Sequence, residues 1–341
     1  MFSYKLVKAN HPFDVLQHQQ LLKKIWKKNK KKFCQKKRQG AIDYCNVPWK
    51  SKIRTMMPRF ENLIDKSLFA KHTQKFQGEF IPKTWVVSQN PQIICTNAKT
   101  LFFLKPANGS RGNGIVVDPN PQKLCIKART DPNNRYIIQQ SVPRLLLTND
   151  ERKFDIRVWV CFVWIKSSTK KGSGDDNTAL HCFTWSDAVV RVSTDKFDPN
   201  SVDPKIHLTN FCIQRNHRSF KKDKSILRAS SMRELQWEKT YINIQRVLSK
   251  MRAVFAKVLQ PRLSKTSGYW LAGFDFILDQ DQKLWLLECN RNPGVSYTQN
   301  QTAIYFEALS ALSTQIIEPL LSNKGLLLEL THSHNQWDLV F

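Results

Sequence analysis

The chain has 341 residues, enough for one large core or for two to three small domains, and its 41% hydrophobic and 24% charged residues exclude a disordered polypeptide. Its formal net charge of +27 predicts an acidic partner: nucleic acid, an anionic membrane surface or an acidic protein. Eight cysteines without a C-x-x-C pair read as buried thiols of a reducing compartment and not as a disulfide framework, no Cys/His group has the ligand spacing of a zinc site, and His332 and His334 are assigned to the surface.

The first fifteen residues lack the apolar core of a signal peptide. No apolar run approaches the roughly 20 residues of a membrane span, so a soluble, intracellular chain is expected. Lys23–Arg38, KKIWKKNKKKFCQKKR, is a basic run with Trp26 and Phe33 inserted. It suits docking to an acidic surface, a nuclear localisation signal or a nucleic-acid patch, and equally a solvated arm.

Helical spacing begins with Leu63, Ile64, Leu68 and Phe69, and Thr84–Val87 reads as a short strand. Leu101–Leu104 is an apolar strand, followed by the glycine-rich turn Asn108–Gly114 and a second strand at Ile115–Val117. Tyr136–Gln139 is another short strand. Ile156–Ile165 is the strongest strand in the chain, rich in β-branched and aromatic residues. Ser167–Thr178 reads as a polar loop. His181–Trp185 and Ala188–Ser193 are expected to pair around a turn. Ile244, Val247, Leu248, Met251, Val254, Phe255 and Val258 form one helical stripe, ended by Pro261. Ala272–Leu278 and Leu284–Leu287 form a hairpin across a tight turn, and Ile304, Leu309, Leu312 and Ile316 mark a last helix. This mixed order, with antiparallel pairs, predicts an α+β fold.

Three segments carry candidate chemistry. The hairpin can bring Asp275 beside Glu288 and Asn290, which lie two apart and so point the same way. Two carboxylates and an amide oxygen are hard ligands suited to Mg²⁺, although two strand acids facing water would look the same. Asn108–Gly114 can form an anion nest, with Lys105 at the end of the preceding strand able to reach a phosphate. It lacks the ending of a P-loop. In Lys153–Arg157, alternation puts Lys153, Asp155 and Arg157 on one face and Phe154 and Ile156 on the other. That charged face is either a solvated sheet or the wall of a site. Arg191 and the stretch His207–Asn210 add polar groups to packed regions.

Together, LKPANGSRGNGI, IIQQSV, RKFDIRVWV, HLTNFCIQ and GFDFILDQDQKLWLLECNRNP resemble, in order, the motifs of the tubulin–tyrosine ligase-like family. PRFENLIDKSLFAKH and FIPKTW resemble the entry to its central domain, so the likeness runs from about Met57 to Pro319. It implies an ATP-grasp fold with mixed and antiparallel sheets flanked by helices. The chain then divides into a basic N-terminal region (1–56), a central subdomain with the phosphate loop (57–145), a C-terminal subdomain with the Mg²⁺ site (146–322) and a tail (323–341).

The resemblance also implies roles. Lys105 contacts ATP phosphates, and Ser110, Arg111, Gly112, Gly114 and Ile115 belong to the loop that closes over them. Gln139 and the backbone near Val142 meet the adenine. Lys153 and Asp155 lie near the nucleotide, and Asn210 near the phosphates. Arg157 and Arg191 face the reacting carboxylate or the incoming amino acid. Asp275, Glu288 and Asn290 hold Mg²⁺. The implied activity is ATP-dependent ligation of a free amino acid, glutamate first, to a carboxylate of tubulin or microtubules through an acyl phosphate. Glycine and tyrosine are the alternative amino acids. The implied location is cytoplasm and cytoskeleton, with cilium or basal body as candidates, and neither a membrane nor nucleic acid is an expected partner. A non-catalytic microtubule-binding protein and a nucleic-acid-binding protein built on Lys23–Arg38 are the competing readings.

Overall fold

A computed structural model describes residues 57–87, 100–166, 178–264, 266–291, 293, 299–317, 319–320 and 336–341. The basic run Lys23–Arg38, nearly all of the expected loop after residue 166, and His332 and His334 lie outside these residues.

Two short helices open the described chain, Glu61–Ile64 (α1) and Lys66–His72 (α2). They are separate because Asp65 leaves helical geometry and caps α2, accepting hydrogen bonds from the Ser67 and Leu68 amides at 2.9 and 3.0 Å. Four antiparallel strands follow: Thr84–Val86 (β1), Phe102–Pro106 (β2), Val116–Asp118 (β3) and Tyr136–Gln140 (β4), in the order β1–β4–β2–β3. The helix Pro121–Arg129 (α3) covers one face, packing Leu124, Cys125 and Ala128 on Phe102, Leu104 and Ile138. Pro121 begins α3 and the Asn120 side chain caps it, and the buried Pro121, Leu124, Cys125 and Ala128 recur at helical spacing.

The second sheet is built on Arg152–Lys166 (β5), longer at both ends than the apolar run alone predicts. Thr178–Trp185 (β6) and Val189–Lys196 (β7) follow it. These two do not pair with each other as a hairpin. Both pair antiparallel with β5, β6 along its second half and β7 along its first. The turn between them is diverted by Asp187, whose buried carboxylate accepts from the Ala188 and Ser230 amides and from Arg228.

Short helices Pro204–His207 (α4), Phe211–Gln214 (α5) and Lys222–Ser225 (α6) lead to Ile226–Arg228 (β8), which pairs with β7. The long stripe is two helices, Trp237–Lys250 (α7) and Arg252–Leu259 (α8), because the chain leaves regular geometry at Met251. Gly268–Leu278 (β9) and Leu284–Asn290 (β10) form the expected hairpin, and Gln299–Leu312 (α9) is the last long helix. Residues 336–341, expected as part of a tail, supply Trp337–Leu339 (β11), which pairs with β6.

One face of β5 presents Phe154, Ile156, Val158, Val160, Phe162 and Trp164, all buried against α7, α8 and the hairpin. Each such side chain contributes about 1.5–3 kcal/mol by burial. Leu63, Phe69, Phe76 and Phe80 join this same core, so α1 and α2 pack on the large sheet. The opposite face of β5 is split. Trp159, Cys161 and Val163 are covered by α9 and Trp337, whereas Lys153, Asp155 and Arg157 line an open cavity. Among the described residues, no helix is long and apolar enough to cross a membrane, and Cys125, Cys161, Cys182, Cys212 and Cys289 are free thiols.

Candidate active site

Strand register sets the site out in rows, because residues directly opposite one another in an antiparallel pair share a face. Glu288 lies opposite Asp275, Asp275 opposite Arg157, Arg157 opposite Val189, and Val189 opposite Arg228. One step along, Asp155 lies opposite Arg191, and Arg191 opposite Ile226. One step the other way, Asn290 and Trp159 flank Gly273. The row that holds both acids depends on an irregularity between Leu286 and Glu288. Straight alternation from Leu286 would turn Glu288 into the core.

Charge is concentrated and paired. Asp275 accepts from Arg157 through both oxygens, from Nη2 at 2.8 Å and from Nε at close range. Arg191 Nη2 reaches the same carboxylate at 2.9 Å, and its Nε holds Asp155 at 2.7 Å. Burial alone would raise the Asp275 carboxyl, but the two guanidiniums outweigh it and hold the group well below the usual carboxylate range. For Arg191, burial is likewise outweighed by Asp155 and Asp275, which push it well above the ordinary arginine value. Gly273 makes this packing possible, since a Cβ there would lie 2.8 Å from Arg157 Cδ.

Asn290 Nδ2 donates to Asp275 at 3.1 Å and to Glu288 at 3.2 Å, so the three expected metal ligands converge. Among the described residues no cluster of three or more His, Cys, Asp or Glu is ready to hold a metal. Mg²⁺ does not require one, because it binds through one or two carboxylates and completes its shell with phosphate and water oxygens. Two carboxylates and an amide fit that pattern.

Two lysines face these acids, Lys153 buried and Lys105 half-buried. Lys105 Nζ donates to Gln139 at 2.7 Å, and Lys153 Nζ to the His207 carbonyl at 2.7 Å. Both ammonium groups lie 5.6 Å from the centre of the Phe103 ring. Burial pushes Lys105 down to about 8, countered by Glu288 and Asp275 and reinforced by Lys66. Burial also pushes Lys153 to about 8, with Asp155 opposing and Lys105 adding to the shift. The Gln139 side chain is engaged by Lys105 and by Thr84 Oγ1, so here it orients the lysine.

A cavity of about 1170 Å³ gathers these groups. Lys105, Ser110, Arg111, Gly112, Ile115, Gln139, Val142, Lys153, Asp155, Arg157, Arg191, Asn210, Asp275, Glu288 and Asn290 all line it. Gly114 does not; it turns the loop with φ +72°, its α-hydrogen side against Pro106. Gly112, at φ +79°, brings the loop against α5, where a Cβ would overlap Ile213. Leu101, Val142, Leu145, Leu147, Ile277 and Leu287 make one end of the cavity apolar, suited to a planar base.

Lys66 is a residue of the cavity lining that sequence reasoning missed. It begins α2, and its Nζ reaches the Gly109 carbonyl at 2.6 Å and Glu288 at 3.3 Å. It thereby ties the glycine loop to the acidic row. The Asp65 cap directly before it is the only local signal, and a single lysine is inconspicuous among 54 basic residues.

The family model described as tubulin-tyrosine ligase family matches residues 5–322. A tubulin polyglutamylase of Xenopus tropicalis is 26% identical over 260 residues, covering 66% of this chain and 26% of the relative. A probable tubulin polyglutamylase of Mus musculus is 26% identical over 283 residues, covering 74% and 48%. Tubulin glycylase 3B of Drosophila melanogaster is 26% identical over 270 residues, covering 73% and 34%. The chain therefore spans between about a quarter and a half of the length of these relatives.

Proposed function

The chain belongs to the tubulin-tyrosine ligase family, and on that membership and the cavity's chemistry we propose that it is an ATP- and Mg²⁺-dependent ligase joining a free amino acid to a carboxylate of tubulin. The observation that carries this reading is the row Glu288–Asp275–Arg157, facing Lys105 and Lys153 across one cavity. Acids for a cation, cations for phosphates and an apolar slot for a base stand side by side.

A carboxylate oxygen of the protein substrate attacks the γ-phosphorus, the bond to the β–γ bridging oxygen breaks, and ADP leaves. The amine of the amino acid then attacks the acyl carbon, loses a proton, and phosphate departs with the original carboxylate oxygen. Mg²⁺ held by Asp275, Glu288 and Asn290 would screen the phosphate charge that repels the attacking carboxylate. Lys105 and Lys153, charged at neutral pH, add to that screening from fixed positions. Arg157 and Arg191 are locked by their acids and present oriented cations where the two anions must meet. The glycine loop, tied down by Lys66, keeps water from the acyl phosphate.

The names of the relatives support glutamate as the amino acid, and the glycylase supports glycine as a second reading. A tubulin substrate implies activity on the cytoskeleton of the cytoplasm. The test is incubation with microtubules, Mg-ATP and labelled amino acids, with Glu288→Gln in parallel. Incorporation by the wild type that falls at least about 10²-fold in the variant is expected. Equal incorporation by both would overturn the roles given to the acidic row.

A further inference from the structure

We propose that a second, cationic cleft at the end of β7 docks an acidic stretch of the protein substrate, lying about three to five residues from the carboxylate that is modified. This rests on the ligase reading and says how that ligase holds its protein substrate. The cleft has a volume of about 270 Å³, and none of its lining residues lines the large cavity. Arg152, Lys196, Lys221 and Lys224 line it, with Asp150 as the acid among them. The acids at this edge are engaged. Asp150 accepts from Arg152 Nε at 2.7 Å, Glu151 accepts from Lys196 Nζ at 2.8 Å, and Asp195 lies 3.0 Å from His217 Nε2.

Lys221 and Lys224 are exposed, and among the described residues no acid pairs with either. The same holds for Arg218 and for Arg215, which lines the large cavity. Four cations, three residues apart in sequence, thus lead from that cavity to the cleft. Their segment is pinned to β7. The buried Gln214 accepts from the Thr194 amide at 2.6 Å and donates to the Lys205 and Leu208 carbonyls, and Phe211 packs edge-on against Phe220. On β7 itself, Arg191 lines the cavity, whereas Thr194 and Lys196 line the cleft. At about 3.3 Å per residue the two places are at most about 10–17 Å apart, within reach of three to five extended residues. The reacting carboxylate is carried by a polypeptide that enters at Arg215, so the chain that continues past those cations is the substrate's own. Carboxylates along it complement the row, and a neutral chain gains nothing from it.

The experiment uses the full chain, Mg²⁺ with a non-hydrolysable ATP analogue, and fluorescent glutamine-rich peptides. Each peptide carries one acceptor glutamate and a pair of aspartates at a set distance from it. Fluorescence anisotropy reads binding without turnover, so docking is tested apart from ligation. Kd at low salt is expected to be lowest with the aspartates about three to five residues from the glutamate. Lys221→Glu with Lys224→Glu is expected to raise that Kd at least about tenfold. Lys123→Glu with Lys127→Glu, on exposed positions of α3 outside both cavities, is expected to change it less than about threefold. A Kd indifferent to aspartate position, or equal weakening by the two charge-reversed pairs, overturns the proposal and leaves the ligase reading standing. If the Lys221 and Lys224 variant does not fold, the dependence on aspartate position decides. Docking with the expected spacing supports the proposal even where no amino acid is incorporated, a result that counts against the ligase reading alone.

Discussion

Asp275 shares its carboxylate among Arg157, Arg191 and Asn290, and Arg191 in turn spans Asp275 and Asp155. Removing one partner of such a buried network leaves charge uncompensated, at a cost of about 3–5 kcal/mol. Arg191→Met should therefore lose about that much stability in urea unfolding as well as activity; a loss below about 1 kcal/mol would show that the network is not closed. The folded Asp275 carboxyl titrates below its ordinary value of 3.8. Its contribution is thus present above that pH and is lost as pH falls toward the depressed folded value. The lysines run the other way. Lys105 and Lys153 sit near 8, and a polyanion binds only their charged forms. ATP affinity should fall as pH rises through 8, and binding at pH 8 should take up protons. Calorimetry in buffers of different ionisation enthalpy reads that uptake directly, and zero uptake would contradict the burial of both amines. Strand alternation makes Lys153, Asp155 and Arg157 legible as one face from the order of residues alone. Lys66 is not legible in that way, because its role depends on a contact with Glu288 more than two hundred residues away.

At the scale of elements, the strands are legible where β-branched and aromatic residues are dense, as in β5, and where a tight turn joins two of them, as in β9–β10. Partnership is not. Ser186–Asp187 looks like a hairpin turn, yet Asp187 binds Ala188, Ser230 and Arg228 and sends β7 along β5. Nor does LLEC mark the irregularity that turns Glu288 to the site, since a bulge is set by both strands at once. The edge strand β11 also escaped, because three residues carry no periodicity of their own. Its anchor is Trp337, fully buried against α9 and β6, with the indole N–H donating to the Ala308 carbonyl at 3.0 Å. Trp337→Ala should cost about 3–5 kcal/mol. Since Trp337 lies outside the cavity lining, folded variant protein should keep its ATP affinity; a large fall in affinity at full occupancy of the folded state would tie β11 to the site instead.

At the scale of the whole molecule, two sheets and the helices between them converge on one cavity. The small sheet contributes Lys105, Gln139 and the glycine loop. The large sheet contributes the acids and arginines, and α2 joins the two through Lys66. The net charge of +27 suits an acidic partner, such as the tubulin proposed as substrate, but charge governs association and does not specify a fold or a reaction. The central claim is chemical: the protein carboxylate is activated by phosphorylation. Tubulin tail peptide with ¹⁸O in its side-chain carboxylates, incubated with Mg-ATP and the preferred amino acid, tests that claim most directly. The account predicts ADP and one ¹⁸O atom carried into inorganic phosphate for each bond formed. Phosphate free of ¹⁸O, or AMP carrying it, would contradict the acyl phosphate and the roles assigned to the cavity.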